Sequence, residues 1–230
     1  MTIKPFPTHK FEEKKIFQDD ANAKVVLMQH RKTNTPYVIK IIQSCKVSEY
    51  VGGISIEAHI GMKLINNVGF AKTHKFYVTG PVHYLCIEYI EGMQLKELIE
   101  KHATEKMPVE QFRVLTSSYL QAMQYLVKER IFPRGLHDRN ILIQPNGTVK
   151  IIDFAQYWGK RDRVSTIDVG HAIVNNLRLL FPSVNTEETP SFSSWEELIS
   201  KHHESDGWEA LGQWLEKAID HPFMQGNLSE

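Results

Sequence analysis

Apolar and polar positions alternate early in the chain and later step by threes and fours. Lys24-Val25-Val26-Leu27-Met28 and Tyr37-Val38-Ile39-Lys40-Ile41-Ile42 are strand-like runs, and the polar stretch from Arg31 to Pro36 between them predicts a hairpin. Ile56, Ile60 and Leu64 then recur at helical spacing. Tyr84 to Ile90 reads as a third strand, preceded by the turn signal Gly80-Pro81 and stopped at Glu91-Gly92. Further on, Phe112, Leu115, Tyr119, Met123 and Leu126 form the apolar stripe of an amphipathic helix. Val169, Ile173, Leu177 and Leu180 form another, ended by Pro182. Trp195, Leu198 and Ile199, then Leu211, Trp214, Leu215 and Ile219, predict short C-terminal helices. The pattern predicts an α+β chain: a small strand-rich front, residues 1–91, and a larger helical back, residues 92–230, with a hinge near Gly92.

Two details carry chemistry. Lys40 interrupts an apolar strand and shares a face with Val38 and Ile42. A charge there is costly unless paired. Glu57, on the next predicted helix, is a candidate partner; an edge strand with Lys40 in water is the other arrangement the pattern allows. The second detail is Asn146-Gly147 between Ile141-Leu142-Ile143-Gln144-Pro145 and Thr148-Val149-Lys150-Ile151-Ile152, a strong hairpin signal. With Asn146-Gly147 as a two-residue loop, Asn140 and Asp153 face each other at the open end. An amide oxygen and a carboxylate side by side suit Mg²⁺, a hard cation that prefers oxygen ligands. Separate cap or turn roles for the two residues fit the same sequence.

Composition narrows the partners. Lys plus Arg and Asp plus Glu number 27 each, so no net positive field points to nucleic acid or an anionic membrane. Cys45 and Cys86 lie in apolar surroundings and read as buried, inert thiols rather than a disulfide framework. The first residues lack an apolar secretion segment, and no apolar run approaches the ~18 residues of a membrane span. A cytoplasmic setting is expected.

Taken together and in this order, the strand ending Val-Ile-Lys40, the helix with Glu57, the loop from Pro133 through Arg134, Gly135, Leu136, His137, Asp138 and Arg139 to Asn140, and Ile-Ile-Asp153-Phe154-Ala155 resemble the protein-kinase-like fold. The resemblance covers roughly residues 16 to 182. It implies a bilobal fold with a small antiparallel β-rich N-lobe and a helical C-lobe. It also implies roles: Lys40 on the α- and β-phosphates of ATP, Glu57 orienting Lys40, Asn140 and Asp153 on Mg²⁺, and the backbone of Glu88-Tyr89-Ile90 at the adenine. Asp168 resembles the Asp that braces the catalytic loop; a carboxylate near a helix N-terminus is its plainer reading.

The chain departs from the family pattern at three places. With Asn140 aligned to the motif Asn, Gly135 stands at the catalytic Asp and Pro133 at the motif His, leaving Arg134 of that triplet. Asp138 is the nearest substitute carboxylate; a solvent-facing loop Asp beside Arg139 is its simpler reading. His137 matches the His of the bacterial Asp-Leu-His variant of this loop, where it is expected to be a hydrogen-bonded loop residue. Gln18, Asp20 and Ala23 occupy the three positions of the phosphate-covering glycines, where side chains hinder close approach and Asp19 and Asp20 would repel a triphosphate if turned inward. Asp153 and Asp168 are only 15 residues apart, with no Ala-Pro-Glu motif between them, unlike a peptide-substrate kinase. The expectation is a kinase-like protein that binds Mg-ATP with weak or absent phosphotransfer, a pseudokinase acting through a protein partner. The alternative is an active atypical phosphotransferase on a protein Ser/Thr or a small molecule, using Asp138. Transfer of the nucleotidyl group of ATP is a third possibility that no residue demands.

Overall fold

The computed structural model describes residues 4–43, 50–51, 54–129, 131, 136–153, 166–180 and 208–220. It is α+β, an antiparallel sheet followed by helices, and divides into two compact units: Met1–Ile90 with Asp153–Gln156, and Glu91–Ile152 with Tyr157–Glu230.

The first unit is a five-stranded antiparallel sheet with one helix. Its strands are β1 (Phe11–Asp19), β2 (Lys24–His30), β3 (Pro36–Gln43), β6 (Thr73–Thr79) and β7 (Val82–Glu88), in the spatial order β1-β2-β3-β7-β6. The hairpin predicted around Arg31 to Pro36 is β2–β3. The predicted third strand is β7, which ends at Glu88 rather than Ile90. Strands β1 and β6 carry no clear alternation and escape the sequence pattern. In β1 every residue after Phe11 is exposed, and two register shifts break the ladder. A short ladder pairs β4 (Tyr50–Val51) with β5 (Ile54–Ser55).

Helix α1 (Ile56–Lys63) follows directly. Ser55 caps it, its hydroxyl accepting the Ala58 N–H at 3.3 Å. Ala58 then packs with Ile42, Phe76 and Leu85 on one face of the sheet. Gly61 sits against β6 so closely that a Cβ would overlap Thr73 Oγ1. The opposite face is covered by the chain before β1. Phe6 is buried there, stacked on Tyr84 at 4.5 Å and on Phe11 at 5.3 Å, with Tyr77 edge-on. Its N–H donates to Thr79 Oγ1, and the Val78 N–H donates to the Lys4 carbonyl. Ile39 and Cys86 lie beneath.

The second unit begins where Gly92 passes the Ile143 carbonyl too closely for any Cβ. Strands β8 (Met93–Gln94), β9 (Ile141–Ile143) and β10 (Val149–Ile151) form a three-stranded sheet. Helix α2 (Leu95–Lys101) opens with a Gln94–Glu97 capping box. Helix α3 (Val109–Glu129) buries Phe112, Leu115, Tyr119, Met123 and Leu126, the predicted stripe. Helix α4 (Thr166–Leu180) buries Ile173, Leu177 and Leu180, and α5 (Trp208–Ile219) packs Leu215 and Ala218 inward. Trp195, Leu198 and Ile199 lie outside the described residues, as does Cys45.

The β9–β10 turn corrects one expectation. Pairs such as Ile141↔Ile151 and Ile143↔Val149 place Gln144 opposite Thr148, so the loop is Pro145-Asn146-Gly147. A two-residue type I′ loop needs positive φ at both Asn146 and Gly147. Only Gly147 has it, at φ 83°. Proline presets the first position of an ordinary turn. The Gly147 N–H accordingly returns to the Gln144 carbonyl at 2.9 Å. The register moves by one residue, and Asn140 meets Ile152, whose N–H donates to the Asn140 carbonyl at 2.9 Å, instead of Asp153.

Candidate functional site

Lys40 leaves β3 on the α1 face of the sheet. Its Nζ lies 3.0 Å from Glu57 Oε1 and 2.9 Å from Asp153 Oδ1. Lys40 is not on a solvent-facing edge: β3 is flanked by β2 and β7. Glu57 is on the first turn of α1, which the Ser55 cap and the Gly61–Thr73 contact hold against the sheet. Asp153 reaches Lys40 from a strained backbone, with φ at 63°. Left-handed geometry costs a non-glycine residue about 1–3 kcal/mol, and Asp is among the residues that tolerate it best.

The electrostatics are unbalanced. Burial alone would pull the Lys40 ammonium down, but Glu57 and Asp153 more than offset it and hold it above its ordinary value. Burial pushes the Glu57 carboxyl up, Lys40 opposes that, and Asp153 adds to it. The Lys40 ammonium contacts both carboxylates. Glu57 Oε2 is buried with no hydrogen-bond partner among the described residues. Asp153, by contrast, has its side chain 41% exposed, so it can take a ligand without being dug out of the core.

Other predicted residues fall as follows. Glu88 ends β7 opposite Tyr37, and its carboxylate accepts the Lys72 N–H at 3.1 Å while its own N–H donates to the Lys72 carbonyl. Tyr89 is half-buried and Ile90 buried, both beyond the ladder. In the second unit, Asp138, half-buried, and Arg139, exposed, lead into Asn140 through a 3-10 turn. The Asn140 side-chain amide lies 3.4 Å from His137 Nε2, so His137 is a hydrogen-bonded loop residue. Pro133, Arg134, Gly135 and Phe154 lie outside the described residues, as does the side chain of Asp168 in α4.

Two features were missed by the sequence pattern. Buried Asn176 on α4 donates to Tyr119 Oη at 3.0 Å and to the Leu136 carbonyl at 3.3 Å, fastening the start of the His137–Asn140 loop to two helices. A Tyr in the middle of an apolar stripe was the signal, because a buried phenol needs a partner. The other is the β1–β2 turn. Asp20 Oδ1 accepts the N–H groups of Asn22 at 2.7 Å and Ala23 at 3.2 Å, and Oδ2 accepts the Gln18 amide at 2.7 Å. The carboxyl is held below its ordinary value by the Asn22, Gln18 and Ala23 hydrogen bonds.

The family model for the protein kinase domain matches residues 13–167, the stretch that holds Lys40, Glu57, Asn140 and Asp153. The chain belongs to the protein kinase domain family. Members of this family generally bind ATP with Mg²⁺. Among similar proteins, 3-phosphoinositide-dependent protein kinase 1 of Arabidopsis thaliana is 23% identical over 164 residues, which is 70% of this chain and 33% of that protein. A probable serine/threonine-protein kinase of Streptomyces coelicolor is 29% identical over 101 residues, 44% of this chain and 15% of that protein. CBL-interacting protein kinase 21 of Oryza sativa is 24% identical over 147 residues, 63% and 27% respectively. The matched stretch spans no more than a third of the length of any of these relatives. Among the described residues, no helix is long and apolar enough to cross a membrane.

Proposed function

We propose that the protein binds Mg-ATP through Lys40 and Asp153 and transfers phosphate weakly or not at all. The largely buried Lys40 side chain between Glu57 and Asp153 carries this reading. A protein that only held a partner would have no use for a charge cluster whose desolvation costs several kcal/mol per ion. The donor chemistry fits the metal: Mg²⁺ is held by one or two side-chain oxygens plus phosphates rather than by an all-protein cage. Asp153 and, on the family pattern, Asn140 are such donors, and among the described residues no larger His, Cys, Asp and Glu cluster offers a metal site. Bound Mg²⁺ would supply charge neutralisation of the phosphates. Lys40 would hold the phosphates from the sheet side, and Glu57 would keep Lys40 in place.

Weak transfer follows from Gly135 at the catalytic Asp position, since glycine cannot orient a hydroxyl or take its proton. Catalysis of phosphoryl transfer is mainly positioning and charge stabilisation, so a residual rate fits the same reading. The half-buried Asp138 favours a second reading, an active phosphotransferase on a protein or small molecule with Asp138 at the accepting hydroxyl. A scaffolding role toward a protein partner is compatible with the first.

Thermal unfolding with ATP and Mg²⁺, ATP alone and Mg²⁺ alone tests the nucleotide site, because a ligand of the folded state raises its stability. The expected result is a Mg²⁺-dependent rise that Asp153→Asn removes. No rise at millimolar ATP sinks the proposal. On the same samples, ATP turnover should sit near background and increase in Gly135→Asp. Substantial turnover by the unaltered chain, lost in Asp138→Asn, would instead establish the second reading.

A further inference from the structure

We infer that Asp20 sets the ligand preference of the Lys40 site, filling the anion position of the β1–β2 turn so that adenosine is taken in preference to ATP. The inference rests on the nucleotide reading of Lys40 and specifies it.

Strand register puts Gln18, the residue that holds the Asp20 carboxylate, on the face of Lys40. Gln18 pairs with Val25, and Val25 pairs with Lys40. Directly opposed residues of antiparallel strands point to the same face, so Gln18 and Lys40 share the face on which α1 packs. They stand two strand spacings apart, roughly 10 Å. The Gln18 amide, on that face, holds Asp20 Oδ2, while Asp20 Oδ1 takes the N–H groups of Asn22 and Ala23.

Successive backbone N–H groups in a tight turn are what an external phosphate would use. Here they are already turned to a carboxylate that is part of the turn. A phosphate chain held by Lys40 therefore meets occupied donors and a fixed negative charge instead of an open cradle. An uncharged nucleoside meets neither penalty. Asp20 is exposed, so its field on the Lys40 site is one that salt screens.

Isothermal titration of the full chain with adenosine and with Mg-ATP tests this, using Asp20→Asn and Asp20→Gly beside the unaltered protein. Asn keeps an oxygen for the turn's N–H groups and removes only the charge; Gly also releases the N–H groups. The unaltered chain should bind adenosine at least as tightly as Mg-ATP. Asp20→Asn should tighten Mg-ATP about tenfold, with adenosine unchanged and the gain shrinking in high salt. Asp20→Gly should tighten it further. Mg-ATP affinity unchanged within about twofold in both variants, or an unaltered chain that already prefers Mg-ATP, overturns the role of Asp20 and leaves the nucleotide site standing. Binding of neither ligand by any of the three proteins overturns the nucleotide reading and this inference with it.

Discussion

The two faces of the five-stranded sheet solve different problems with alternate residues of the same strand. Ile39 and Ile41 point to a face closed by Phe6, Phe11, Tyr77 and Tyr84, where aromatic stacking and apolar packing dominate. Lys40 and Ile42 point to a face where an apolar cluster of Ala58, Phe76 and Leu85 lies beside an ammonium with two carboxylates. The aromatic face holds the unit together. The charged face costs stability to maintain, and the nucleotide reading proposed above rests on that cost.

The largest expected effect tests the charged face. Lys40→Ala leaves Glu57 buried without its cation, and removing one partner of a buried pair typically costs about 3–5 kcal/mol. Urea unfolding should show this loss, and the double change Lys40→Met with Glu57→Leu should recover most of it while giving no nucleotide response. A double variant as unstable as Lys40→Ala would mean that the pair itself, rather than the orphaned carboxylate, supports the fold.

On the aromatic face, Phe6→Ala should cost about 3 kcal/mol by cavity formation and leave the affinity of any bound nucleotide unchanged. A change in affinity with little change in stability would break the division of labour between the faces.

The smallest effect is in pH. Burial pushes the Cys86 thiol up to about 12, with Lys75 opposing slightly. An unfolded chain gives up that proton near its ordinary value of 9.0, while the native state keeps it. Native stability should therefore fall as pH rises from about 9 towards 12, by ~1.4 kcal/mol per unit from this group. Cys86→Val should flatten that slope when urea midpoints at pH 8 and pH 10 are compared.

Much of this arrangement was legible from residue patterns. Lys40 stood out because a charge in an apolar strand demands a partner, and the helical spacing of Ile56, Ile60 and Leu64 put Glu57 on an element that could deliver one. Strand β1 was illegible because an edge strand with eight exposed residues has no face to declare. Phe6 gave no signal either, since one aromatic between Pro5 and Pro7 has no periodicity. The Asn140–Asp153 opposition failed by one residue because Pro145 took the first turn position, a local preference that outweighed the Asn-Gly signal.

The order in which the ion cluster is assembled follows from where its members lie along the chain. Glu57 is 17 residues from Lys40, and Asp153 is 113. At translation rates of about 5–20 residues per second, roughly 6–23 s separates the emergence of Lys40 from that of Asp153. During that interval the nascent sheet can already pair Lys40 with Glu57, and Phe6 can dock once Thr79 is out. Asp153 arrives last, onto a surface already built, so the exposed member of the cluster is also the one whose placement the rest of the unit does not have to wait for.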